Sequence, residues 1–242
     1  MMRFAVARAT ILALAFAATT AAADTLDDFN RAVESAAVHR RATLGYLRAG
    51  NRELAARELA HMRETWGVVV SRFGRDRPEV FRDGELYTTT LVDVSMRLVT
   101  ASIMLDSGRP DGVRESLSAI RGELAKLRQS GGVLVLSDCL HDATAALDAL
   151  EGVGARAPDL SHAEERRNFM ATLSAYGATI ERCAGMADDP VRRSPAFSRP
   201  VEGIRAGLAR ARKSIAGQDE NSLREILAEL RKFDNQLADR FG

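Results

Sequence analysis

Aromatic side chains make up only 5% of this 242-residue chain, and runs of strand-like alternation are missing as well. Together these absences leave no signature of a sheet core. The two cysteines form no Cys-x-x-Cys pair, which excludes the common thiol redox motif and covalent haem attachment through Cys-x-x-Cys-His. There is no Gly-rich phosphate loop and no Gly-x-Ser-x-Gly elbow, so no enzyme class is legible and no catalytic residue is expected. Charge is balanced, at a formal net +1, with both signs interspersed. Without a basic stripe carrying interleaved aromatics, nucleic acid is not an expected partner.

What is present begins at the N-terminus. Arg3 and Arg8 accompany an apolar stretch over 11–18, and Ala21-Ala22-Ala23 stands just before Asp24. This pattern predicts a cleavable secretory leader over 1–23 and export to a periplasm. Past it, no segment offers about 20 uninterrupted apolar residues, so no membrane span is expected. Removing Arg3 and Arg8 leaves the mature chain near −1.

The rest reads as one segment present twice, offset by 110 positions. Trp66-Gly67 returns as Tyr176-Gly177, and Val70 and Arg72 return as Ile180 and Arg182. Arg114-Glu115, Leu117 and Arg121 recur as Arg224-Glu225, Leu227 and Arg231. A spacing of this length excludes tetratricopeptide solenoids, whose period is about 34 residues.

Apolar residues step by four and three nearly everywhere, the signature of amphipathic helices. Val113, Leu117, Ile120, Leu124 and Leu127 form one such seam. Its second-half counterpart is Leu223, Leu227, Leu230, Asp234 and Leu237, where Phe233 is expected to cover the polar exception, Asp234. Leu91, Val94, Leu98, Ala101 and Leu105 form another, matched by Val201, Ile204, Leu208, Ala211 and Ile215. Gly and Pro punctuation predicts about eight helices, near 26–49, 52–73, 84–106, 110–129, 134–150, 161–184, 197–215 and 221–240. Asn51 is expected to cap the second helix and Ser161, with Glu164, to form a capping box on the sixth. The run 133–136 could be a strand, but it has nothing to pair with and is expected to enter the fifth helix. The fold class is therefore all-α: two tandem antiparallel four-helix bundles, 24–131 and 132–242, related by the internal repeat.

Cys139 lies near the start of the fifth helix and Cys183 near the end of the sixth, ends that antiparallel packing brings together. In an exported chain this predicts a Cys139–Cys183 disulfide, with Phe29 packed on Phe73 at the equivalent level of the first half. Cys139 and His141 point about 200° apart around a helix and cannot clasp one ion. His39, His61, His141 and His162 lie on four different helices, and no His-x-x-x-His or Glu-x-x-His pair is expected to present ligands on one helical face. No metal site and no cofactor are expected. Met96, Met104 and Met170 read as packing residues. Glu53, Glu58 and Glu64, alternating with Arg52, Arg57 and Arg63, read as a solvated, ion-paired face. The Arg- and Asp-rich loops 74–83 and 186–197 read as long connections, with recognition surfaces as the second choice.

The resulting expectation is an exported, non-enzymatic bundle protein that binds or scaffolds a periplasmic protein partner. The alternative is a metal- or haem-carrying bundle protein linked to periplasmic electron transfer.

Overall fold

A computed structural model describes residues 9–154 and 160–242, with side chains from Thr25 onward apart from Gly154. Among the described residues there are nine helices and no strand. Residues 1–8 of the expected leader lie outside the described residues. From Ala9 the backbone is helical and continues into α1 (Ala9–Arg48), well before the expected start at 26. No Gly or Pro stands between Ala9 and Gly45 to stop it, and the stretch is rich in Ala, the strongest helix former.

The chain forms two compact units, Met1–Val133 and Leu134–Gly242. In the first, α1 is followed by α2 (Arg52–Phe73), α3 (Gly84–Asp106) and α4 (Pro110–Ser130). Asn51 caps α2 as expected, accepting from the Leu54 N–H at 3.1 Å. Asp83 caps α3 through the N–H groups of Glu85 and Leu86. Each helix packs on the next, and α4 meets α1 over a shorter stretch. One end of the core is aromatic. Phe29 and Phe73 stand edge to face with centroids 5.4 Å apart, and Phe81 packs on both Phe29 and Tyr87. Phe81 comes from the loop 74–83, and the Tyr87 hydroxyl donates to the Phe73 carbonyl at 2.9 Å. That connection is therefore pinned to the core.

The second unit contains α5 (Leu136–Gly154), α6 (Ala163–Met186), α7 (Asp189–Arg193), α8 (Pro195–Ala216) and α9 (Glu220–Phe241). Here α5 packs on α6, α6 on α8, α8 on α9, and α9 returns to α5. The run 133–136 forms no strand, since α5 begins at Leu136. Part of the expected loop before α6 falls at 155–159, outside the described residues. The expected Ser161–Glu164 capping box is not formed. His162 occupies the cap position without a side-chain cap bond, and Arg166 reaches back to the carbonyls of Leu160 and Ser161 at 2.5 and 2.7 Å. The loop 186–197 holds the short helix α7, which Pro190 inside it and Pro195 just past it obscured. Asp188 caps it from the Val191 N–H at 2.9 Å, and Pro190 fits its first turn, where no N–H is needed.

Cys139 and Cys183 lie at disulfide distance, with Cα atoms 5.5 Å apart, joining α5 to α6. Opposite this link, α8 and α9 approach closely through glycine. A Cβ on Gly207 would stand 2.7 Å from the Leu230 side chain.

Three stability effects follow from this packing. Replacing both cysteines by Ser lowers the unfolding free energy by about 4 kcal/mol, the chain-entropy value for a loop of this length, read by urea denaturation with and without reductant. Gly207→Ala lowers stability by about 1–3 kcal/mol through overpacking. Gly67→Ala on α2, where a Cβ meets nothing within 4 Å, raises stability by up to about 1 kcal/mol. Equal effects at the two glycines would contradict the close α8–α9 approach.

Candidate functional site

On α3 the expected core seam faces inward: Leu91, Val94, Leu98, Ala101 and Leu105 are buried. A second apolar row occupies the other side. Val92, Met96, Val99 and Ile103 are 54%, 60%, 43% and 55% exposed, so Met96 is not the packing residue the sequence suggested. The remaining two methionines, Met104 and Met170, do pack against their cores. With two apolar rows α3 is long and apolar enough, by length and composition, to cross a membrane, yet a third of that window is buried within the protein.

The exposed row adjoins a groove between α2 and α3 of about 340 Å³, lined by Arg63, Trp66, Gly67, Val70, Ser95 and Val99. Its floor is held by a hydrogen-bond relay. The buried Trp66 indole donates to Ser95 Oγ at 3.0 Å, and Ser95 donates to the Leu91 carbonyl at 2.9 Å. Gly67 leaves the rim open, and Val70 stands partly exposed beside it on α2. The positions 110 further on from Val92, Met96, Val99 and Ile103 are Glu202, Ala206, Ala209 and Lys213, all exposed on α8. The apolar row is thus confined to the first unit.

A second cluster lies where α1 meets α2. His39 and His61 sit on different helices, yet their rings are 5.5 Å apart between centroids, tilted by 40°. His39 Nδ1 is 2.7 Å from Glu58 Oε2, and His61 Nδ1 is 3.4 Å from Glu64 Oε2. The face read as purely ion-paired is therefore mixed. Arg57 pairs with Glu53, Glu58 and Glu64 turn to histidines, and Arg52 donates to the Leu105 carbonyl at 2.8 Å. One sequence signal existed for this cluster: Glu58-Leu59-Ala60-His61 places a carboxylate and an imidazole one helical turn apart. His141 and His162 join neither the pair nor each other.

A third feature is sealed inside the second unit. Asp234 is 2% exposed, and Phe233 packs against the same core beside it. Tyr176 donates to Asp234 Oδ1 at 3.3 Å, and Thr144 Oγ1 lies 2.9 Å from Oδ2. Burial pushes the Asp234 carboxyl above its ordinary value, outweighing the hydrogen bonds from Thr144 and Tyr176 and the attraction of Arg231. Thr144 Oγ1 also lies 3.1 Å from the Leu140 carbonyl, so its single proton has two acceptors in reach. A protonated Asp234 resolves that competition by donating to Thr144, which then donates to Leu140. The neighbouring Arg231 bridges α9 to α5, paired with Asp148 at 2.5 Å and Glu151 at 2.6 Å. In the first unit Arg40 is buried on α1, and desolvation, with repulsion from Arg121, Arg41 and Arg128, lowers its pKa to about 10, so it stays cationic near neutrality.

No protein-family model, curated protein or solved structure matches this chain.

The Asp234 cluster makes a directional pH prediction. Because the folded state holds this proton more tightly than the unfolded state, ionisation costs stability above the ordinary 3.8, and the cost grows as pH rises through the folded value. Asp234→Asn keeps the shape without the charge. It is expected to be more stable than the parent by about 1 kcal/mol at pH 7, with the advantage closing as pH falls towards 4 in parallel thermal melts.

Proposed function

We propose that this is an exported, non-enzymatic protein of two tandem four-helix bundles, derived from a duplicated segment of about 110 residues, and that its first bundle holds a helix of another protein along α3. The duplication is supported by the matched Trp66-Gly67 and Tyr176-Gly177 pairs, and by Phe29 on Phe73 standing where Cys139 faces Cys183. The leader-like pattern over 1–23 supports export.

The observation that carries the binding reading is the row Val92, Met96, Val99 and Ile103. Its steps of four, three and four are the a/d spacing of a knobs-into-holes seam, which one additional helix satisfies. An exposed apolar row of this kind marks an interaction surface. A helix laid beside it also enters the groove over Trp66, Gly67 and Val70. A bilayer is a poor match. Interfacial helices carry Lys and Arg beside their apolar face, whereas the single cation of α3, Arg97, is paired with Glu123 at 3.0 Å and Asp93 stands beside the row.

Catalysis has less to work with, since the Asp234 cluster is closed off from any substrate. In the native host, a photo-crosslinking residue replacing Met96 is expected to give a discrete adduct with a second protein, mapping to an amphipathic helix. The same residue replacing Ala206 on α8 gives none. Equal labelling at both positions, adducts only between copies of this chain, or adducts only with lipid would each defeat the reading.

A further inference from the structure

His39 and His61 share the α1–α2 seam with two carboxylates, and the pairing is specific in its atoms. Each ring turns Nδ1 towards a carboxylate, Glu58 at 2.7 Å and Glu64 at 3.4 Å. A neutral imidazole that donates from Nδ1 keeps its lone pair on Nε2. In the tautomer with Nδ1–H turned to the carboxylate, each ring has its Nε2 lone pair available to a ligand. This is the outer-shell arrangement found behind metal-bound histidines, where a carboxylate accepting from the far nitrogen orients the ring and raises its basicity.

The ring separation fits a shared ion. With metal–nitrogen bonds of about 2.05 Å, two imidazoles on one ion have centroids about 4.5 Å apart at a right angle and about 5.2 Å apart at the tetrahedral angle. The observed 5.5 Å exceeds the tetrahedral value by a few tenths of an ångström, a shift made by turning the two side chains. Both are free to make it, with His39 and His61 side chains 31% and 56% exposed. The helices that carry them are fixed by the packed core between Phe29 and Leu59, so the ligands start close to their bound positions and little ordering is required.

We infer that His39 and His61 form a two-histidine site for a divalent late first-row metal ion, bound through both Nε2 atoms and backed by Glu58 and Glu64. Among the described residues no three His, Cys, Asp or Glu side chains converge as direct ligands. The protein thus supplies two nitrogens, and the other coordination positions face solvent. An imidazole pair with open positions suits Cu2+ most strongly, followed by Ni2+ and Zn2+, in the usual order of affinity for nitrogen sites. The equivalent positions of the second unit hold Ala149, Ala171, Asn168 and Ser174, so the site belongs to the first unit alone. It lies on α1 and α2 and does not depend on what binds α3.

The test is titration of the purified full chain with Cu2+, followed by calorimetry and electron paramagnetic resonance. One ion per chain is expected, with two imidazole nitrogens in the pulsed spectrum. His39→Ala and His61→Ala each leave one imidazole signal, and each weakens binding by more than the roughly 10–100-fold that loss of an outer-shell partner costs. Glu58→Ala, acting through His39, keeps the two-nitrogen spectrum and weakens binding by about tenfold. The double variant His141→Ala/His162→Ala changes neither quantity. Circular dichroism melts of the metal-free variants should match the parent, since both rings are partly exposed. Unchanged affinity in His39→Ala or His61→Ala, a spectrum without two imidazoles in the parent, or loss of the ion in the His141/His162 variant would overturn the assignment.

Discussion

The register of the antiparallel α1–α2 hairpin governs most of what the first unit can do. It is set at one end by the turn through Gly50 and the Asn51 cap, and at the other by Phe29 against Phe73. Between these two anchors every cross-helix neighbour is determined: Asp28 meets Arg72, and His39 meets Glu58 and His61. A slip of one residue would rotate side chains by about 100° around the axis and part the histidines. The α5–α6 hairpin has the same problem and a covalent solution in Cys139 and Cys183, with Asp142 and Arg182 at 2.9 Å one turn along. An aromatic contact in one hairpin and a cross-link in the other thus each join two consecutive helices. The first anchor depends on surrounding packing, which Phe81 and Tyr87 provide. The second is local, a link between the two helices themselves.

A further constraint is how much of a helix its neighbours can cover. A helix in contact with two others hides an apolar stripe a little over 100° wide. On α4 and α9 the apolar residues fit within that stripe, and the opposite face is charged. On α3 they do not fit. The inward seam from Leu91 to Leu105 uses the available core, and Val92 to Ile103 is left outside it. Surplus apolar surface in a periodic row differs from scattered exposed Leu or Val, which need no explanation. The row extends over three turns, its spacing is that of a helix–helix seam, and the matched positions on α8 carry Glu, Ala, Ala and Lys. The α8 helix, of the same length class and with a matching inward stripe, is stable without it, so the row is not required for folding.

The helices were legible because each depends on local periodicity and local punctuation. Core seams, the Asn51 cap and the Cys139–Cys183 juxtaposition all follow from spacing along one or two adjacent helices. What escaped was information that no single helix contains. The His39–His61 pair spans two helices, and the spacing sought in the sequence was for two ligands on one. Met96 resembled a packing residue because a methionine among apolar neighbours has the same letters whether it faces in or out; only the angular offset from Leu98 separates the two, by about 160°. Asp234 breaks the apolar spacing of α9, yet the core accommodates it because Thr144 and Tyr176, on two other helices, supply partners. Ser161 had the right spacing for a cap but lost the position to His162, with Arg166 satisfying the nearby carbonyls instead. The helix α7 was hidden because Pro190, which ends helices in their interior, is well placed in a first turn.

Under the proposed duplication, the two units divide conservative from individual features in a consistent way. Inward seams, hairpin registers and an Arg–carboxylate pair at Arg72 and Arg182 occur in both. The departures fall into two kinds. Those of the second unit, the cysteine link, the buried Asp234 cluster and the Arg231 bridge to Asp148 and Glu151, all point inward or tie α5 to its neighbours. Those of the first unit described above, the α3 row and the histidine pair, point outward and leave bonding capacity unused: apolar area in one case and nitrogen lone pairs in the other. Internal departures change how a bundle holds itself together, whereas outward ones change what it can hold. The first unit is therefore where recognition is to be sought, with the second carrying the more strongly tied framework.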